Sequence, residues 1–192
     1  MKLRTAVSIG SLLWALSLGA ASLPALASVN GADSPVAGYT FNVVQEASNL
    51  LGQVHSLSRY LKSHTATLES FYHSNLSWRS HAHALDEIRD GIGSAGGLLG
   101  RLLQIRDEVE PWQRHAIDRI SPTLENLAIR TEAALLHLEA NRDRPFVPDY
   151  QENVSAIAKG ASEMHESLGA YLAYAAGQQR LDRLMQSFGE KS

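Results

Sequence analysis

Apolar residues along this chain recur at helical spacing in four successive segments. From Tyr39 onward, Val44, Ala47, Leu51, Val54 and Leu61 follow one another at steps of three, four or seven, while Leu50, Leu57, His64 and Leu68 form a second row beside them. Two neighbouring rows widen the stripe to the face a bundle core requires, which predicts a first helix running to about Tyr72. Residues 74–77 interrupt the pattern, with Asn75 or Ser77 placed to cap the second helix.

The second segment sets Trp78, His81, Leu85, Ile88, Ile92, Ala95, Leu99 and Leu102 on one face and is expected to end near Asp107. Pro111 suits a first helical turn and opens a third segment, in which Ile117, Ile120, Leu124, Leu127, Thr131, Ala134 and Leu138 form the stripe. Pro122 falls inside that stripe. Either it kinks one helix, or Ser121 caps a fresh start and residues 111–120 form a separate piece. Residues 142–148, with two prolines, read as a loop, and the fourth segment carries Tyr150, Val154, Ile157, Ala161, Met164, Leu168, Tyr171 and Ala175. Its pattern continues more weakly through Leu181, Leu184 and Phe188 past Gly177.

Helices of ~30 residues are ~45 Å long, and short connections force sequential helices to be antiparallel neighbours. The expected fold is therefore all-α, an antiparallel up-down-up-down four-helix bundle with long helices, occupying residues 39–188 as a single domain and leaving 189–192 as a tail.

The amino-terminal end changes the picture. Lys2 and Arg4 precede an apolar stretch over residues 6–21, followed by Pro24 and the small-residue site Ala25-Leu26-Ala27. That order is the one found in a cleaved secretory signal, so residues 1–27 are expected to be removed, with the mature chain beginning near Ser28. An uncleaved anchor is the competing reading, since residues 6–27 approach the ~20 that span a bilayer; Pro24 and the Ala25/Ala27 pair favour cleavage. Residues 28–38 are small, polar and turn-forming, as in a flexible leader. The expected location is exported, either periplasmic or secreted, with no membrane insertion after cleavage.

The chain has no cysteine, which removes disulfides, thiolate metal sites, covalent c-type haem, lipid-anchored lipoproteins and cysteine nucleophiles together. Losing the leader removes two of the 17 basic residues, leaving 15 against 20 acidic ones and a mature net charge of −5. A mildly acidic chain without a basic tract does not point to nucleic acid or to anionic membrane as a partner.

Candidate chemistry is sparse. Gly91-Ile92-Gly93-Ser94-Ala95-Gly96 satisfies the G-x-G-x-x-G string, but a dinucleotide loop needs a strand before it and a helix after it, and here Leu85 and Ile88 make the approach helical. Gly91, Gly93, Gly96, Gly97 and Gly100 are better read as close helix packing or as a hinge, because each interior glycine weakens a helix by ~1 kcal/mol relative to alanine.

The eight histidines invite a metal reading, since imidazole with carboxylate can hold Zn, Cu or Ni. In the expected bundle His64, His73, His81, His83 and His137 share one end, with Asp86, Glu87 and Glu139 nearby, while His55 and His165 fall at similar heights on neighbouring helices. The candidate ligand set is His64, His81, His83, Glu87 and His137. Rotation argues against it, because His83 stands about 200° around the helix from His81, whereas His83 and Glu87 at i, i+4 can face each other. The competing account places His64 and His81 at the core margin with hydrogen-bond partners.

Met164 lies on a core stripe, where methionine ordinarily packs and does not ligate haem. Trp78, Trp112, Tyr171 and Tyr174 could mark a ligand pocket, although aromatics at helical spacing usually belong to a core or a bundle end. No nucleophile elbow, paired acids or Ser-His-Asp context is present. The sequence points to an exported, non-enzymatic bundle without a cofactor, acting through a protein partner or self-association; a histidine/carboxylate protein that binds Zn, Cu or Ni or senses pH is the alternative.

Overall fold

The computed structural model describes residues 35–71, 74, 76–142 and 146–189. Four helices run in order: α1 (Pro35–Phe71), α2 (Trp78–Gln104), α3 (Pro111–Ala140) and α4 (Pro148–Gly189), with one 3₁₀ turn, Arg106–Glu108, between α2 and α3. Each helix packs against the next and α4 returns to α1, so the fold is the expected all-α up-down bundle. Among the described residues, no helix is long and apolar enough to cross a membrane. The leader expected over residues 1–27, His73, the cap candidate Asn75 and residues 143–145 of the second loop lie outside the described residues.

Helix α1 begins at Pro35, four residues before the expected start, and takes in the last part of the segment that reads as flexible. Proline is compatible with a first turn because that N–H has no helical partner in any case, so the polar composition of residues 28–38 is no barrier to an earlier start. Helix α2 ends at Gln104 and not near Asp107, where the chain tightens into the 3₁₀ turn. Arg106 closes this corner, donating from Nε and Nη2 to Asp118 at 2.7 and 2.6 Å. That bidentate bond holds the Asp118 carboxyl below the usual carboxylate range.

Pro122 lies inside a single helix, which decides between the two readings of the third segment in favour of continuity. The ring faces solvent, so the missing amide bond falls on the wet side of α3, where water can satisfy the carbonyl left over. On either side of it, Ser121 and Thr123 donate from their hydroxyls to the carbonyls of Ile117 and Arg119 at 2.7 and 3.3 Å.

The core is the sum of the four stripes. Leu51, Val54, Leu61 and Leu68 of α1 meet Leu85, Ile88, Ala95 and Leu102 of α2, Ile117, Leu127 and Leu138 of α3, and Val154, Ile157 and Leu168 of α4, all fully or almost fully buried. Burying a leucine or isoleucine side chain contributes roughly 1.5–3 kcal/mol, so these positions supply the main stabilisation of a chain without cysteine.

The glycines of α2 divide into two kinds. A Cβ added to Gly91 would stand 2.9 Å from Cδ2 of Leu61 and 3.2 Å from Cε1 of Tyr60, so α1 and α2 approach closely through this position. At Gly93, Gly96, Gly97 and Gly100 an added Cβ would meet nothing within 4 Å, and all four are exposed. Despite all five, α2 is continuous. Gly91→Ala is expected to lower stability by about 1–2 kcal/mol, because Leu61 is wholly buried and overpacking outweighs the gain in helix propensity. Urea unfolding of the variant measures it, and an unchanged midpoint would mean that Leu61 moves freely.

Candidate functional site

The five sequence-predicted ligands are not gathered in one place. They separate into an outer group on α1 and α2 and an inner group at the same end of the bundle.

In the outer group Glu87 lies between two imidazoles: its Oε2 is 3.4 Å from Nδ1 of His64, and its Oε1 is 3.8 Å from Nε2 of His83. The i, i+4 spacing on α2 brings His83 to Glu87, and the packing of α1 on α2 supplies His64. Tyr60 tilts over the His64 ring with centroids 3.9 Å apart. His83 is 78 % exposed, so this group sits in water.

The inner group is built around Tyr150, on the first turn of α4. His81 of α2 is 1 % exposed, and its Nδ1 shares a hydrogen bond of 2.9 Å with the Tyr150 hydroxyl. Phe71 closes the His81 ring edge-on at 5.7 Å, and Phe146 tilts against it at 4.5 Å. His137 of α3 lies over the other side of Tyr150 at 5.9 Å. Four elements therefore meet at one buried phenol–imidazole pair. Burial pushes the imidazole pKa of His81 down, against a smaller upward pull from the Phe71 carbonyl, and pushes the Tyr150 phenol up. Both groups are held neutral. Nε2 of His81 is buried and makes no hydrogen bond of full geometry among the described residues, the Phe71 carbonyl acting on the ring only weakly.

A third histidine feature joins α1 to α4. The rings of His55 and His165 stack face to face, 4.5 Å apart and 2° from parallel. Ser58, wholly buried, bonds to Nδ1 of His165 at 3.1 Å and donates to the carbonyl of His55 at 2.8 Å. The equal heights of His55 and His165 are legible in the sequence, but the serine between them is not. Desolvation lowers the pKa of His55 most, with His165 and Arg59 adding in the same direction. Among the described residues, no group of three or more His, Asp or Glu side chains has the arrangement of a metal site.

The four aromatics raised as pocket markers also divide. Trp112 and Tyr174 line a cavity of about 470 Å³ at the opposite end of the bundle, together with Val44, Ser48, Gln178 and Asp182. Trp78 instead carries two guanidinium groups over its ring, Arg79 at 5.1 Å and Arg142 at 5.0 Å from the ring centre, and Tyr171 packs partly buried against the core.

Two outward surfaces escape a reading of the sequence. A groove of about 550 Å³ between α2 and α3 is lined by Arg89 and Ile92 on one side and by Ala128, Ile129, Thr131, Glu132, Ala133 and Leu136 on the other. Ile129 and Leu136 are 59 % and 56 % exposed. Toward the end of α4, every residue from 176 to 189 is exposed, including Leu181, Leu184 and Met185. Apolar residues outside the main stripe are the available signal, and it is weak, because lone exposed leucines are ordinary on any surface. No protein-family model, curated protein or solved structure matches this chain.

Proposed function

We propose that this protein is an exported helical bundle that works by docking to other helices and carries out no chemistry of its own. The observation behind the reading is that large apolar side chains stand exposed in rows at helical spacing. Ile129 and Leu136 are seven residues apart on α3, and Leu181, Leu184 and Met185 come after Tyr174 on the exposed last part of α4. A contiguous apolar row on a surface marks association far more often than a scattered residue does. The partner is a protein or a second copy of the chain; the mild acidity supports neither nucleic acid nor an anionic bilayer.

The test uses the full-length precursor expressed in a bacterial host with its leader intact. The exported fraction is expected to hold a chain whose intact mass begins at Ser28, and native electrophoresis of that fraction should show a complex larger than the monomer. Leu181→Ser with Leu184→Ser and Met185→Ser, all on exposed positions, should leave the helical melt unchanged and shift or weaken that complex. A wild-type chain running only as a monomer in the native fraction would overturn the association reading, and a chain retaining residues 1–27 would overturn export.

A further inference from the structure

We propose that the cavity where α4 passes the starts of α1 and α3 is a binding site for a small organic ammonium ion. The proposal is independent of the association reading, because a single chain supplies every residue of the site.

The cavity exists because of how the buried stripe of α4 ends. Leu168 is the last wholly buried residue of that helix, and Ala175, seven residues on and so on the same face, lines the cavity with only a methyl group. A larger apolar residue continuing the stripe would fill the space. The other walls are Val44 and Ser48 of α1, one turn apart, and the first residues of α3.

Alpha-helical spacing then puts a different row of α4 on the cavity. Tyr174, Gln178 and Asp182 recur at steps of four, and all three line it. Gln178 donates from Nε2 to the Tyr174 hydroxyl at 3.1 Å, which ties the ring to this row. On the α3 wall Trp112 donates its indole N–H to Oε2 of Glu110 at 2.6 Å, and the Glu110 side chain also accepts from the Gln113 amide in the capping box that opens α3. Carboxylate and indole are thus held together without any ligand.

Three features select the ligand. The first is charge: Glu110 and Asp182 line the cavity and no Lys, Arg or His does. Among the described residues neither carboxylate makes an ion pair. The second is the pair of aromatic rings, Trp112 and Tyr174, contributed by two helices; the negative π face of such rings attracts an organic cation, tryptophan most strongly. With its N–H given to Glu110, Trp112 has its π surface left to offer. The third is the state of the other polar groups. Ser48 donates to the Val44 carbonyl at 3.1 Å and accepts from Gln113 at 2.9 Å, so this wall is satisfied within the chain and the carboxylate oxygens are the groups that lack a counter-charge. An anion would be repelled by both carboxylates, whereas an ammonium ion carrying short alkyl groups meets carboxylate and ring together. At about 470 Å³ the cavity has the size of a small-ligand site.

Isothermal titration of the purified protein with choline, in phosphate buffer so that no amine competes, should show saturable binding with a Kd on the order of 10 μM to 1 mM. Dimethylbutanol, the uncharged carbon analogue of choline, should bind at least about tenfold more weakly. Asp182 is exposed, so Asp182→Asn should melt as wild type does while binding weakens about three- to tenfold. Tyr174→Phe keeps the ring and should bind within about twofold of wild type, whereas Tyr174→Leu should lose about threefold or more. Ala175→Leu fills the cavity and should abolish binding without lowering the melting temperature. No saturation by about 10 mM choline would overturn the proposal. Equal binding of the uncharged analogue would overturn it too, as would choline binding that none of the Asp182, Tyr174 and Ala175 variants alters, which would place the ligand elsewhere on the chain.

Discussion

Replacing Tyr150 by alanine is expected to destabilise the bundle by about 3–5 kcal/mol, the largest loss from any single change at this end of the molecule. Tyr150 is wholly buried where α4 begins, and three aromatic or imidazole rings, those of His81, Phe146 and His137, stand within 6.0 Å of its ring centre. Removing the phenol opens a cavity at the junction of α2, α3 and α4 and also leaves Nδ1 of the buried His81 imidazole without its partner. Tyr150→Phe separates the two contributions. It keeps the volume and removes only the hydroxyl, for an expected loss of about 1–3 kcal/mol. Chemical denaturation of both variants measures the difference. A phenylalanine variant as stable as wild type would show that the hydrogen bond contributes nothing net.

The second large effect is a loss of stability in mild acid. His81 and His55 are both held below the ordinary histidine pKa of 6.5, His81 by burial and His55 by burial with His165 and Arg59 beside it. In the unfolded chain each takes up a proton near pH 6.5, whereas in the fold each resists it to lower pH. Between the two values the unfolded state therefore binds more protons, and stability falls as pH falls. Stability should be level above about pH 7 and then decline below 6.5, with a slope that approaches ~1.4 kcal/mol per pH unit for a single histidine such as His81. The carboxylates of Glu166 and Asp118, bonded to Lys62 and Arg106, lose stability in the same direction but only at lower pH, so the decline near neutrality belongs to the histidines. Measured unfolding free energies from pH 7.5 to 5 test the sign. In His81→Leu the decline should be shallower although the variant is less stable throughout; an equal slope would assign the acid sensitivity elsewhere.

Much of the fold is readable because a helix repeats its buried face on a fixed period. The stripes through Leu51 and Val54, Leu85 and Ile88, Ile117 and Leu127, and Val154 and Ile157 all point inward as their spacing predicts. The polar interior is not readable. Gln113 is wholly buried, with its Nε2 donating to the Val44 carbonyl and the Ser48 hydroxyl, both at 2.9 Å, while its Oε1 accepts from the Glu110 amide at 3.0 Å. In the sequence this is an ordinary surface residue. Its role depends on α1 lying across the start of α3, which no local pattern reports. Ser77 shows the reverse: it occupies the N-cap of α2 as composition suggests, yet makes no capping bond and meets the Ser80 hydroxyl instead.

The histidines divide along the same line. Height along the bundle can be counted from the loops, which brings His64, His81, His83 and His137 to one end. Depth cannot. It depends on which side of a helix faces its neighbour after packing, and a turn of about 200° between His81 and His83 sends one into the core and the other into water. Glu87 bridges only the outer members. The inner pair depends on Tyr150, which reads as one more apolar position until the fold brings its hydroxyl to an imidazole.

The stacked rings of His55 and His165 have a kinetic meaning as well as a structural one. Three seams of the bundle lie between consecutive helices and can zip as local hairpins, but the seam that carries this stack joins groups 107 residues apart, as in the bond from Ser58 to His165. Ordering so long a loop is entropically the most demanding closure in the molecule, although its cost grows only with the logarithm of loop length. The α1–α4 seam is therefore expected to form late in folding and to open early in unfolding. Substitutions there should act mainly on the rate at which the native state opens, and those in the α2–α3 hairpin on the rate at which it forms.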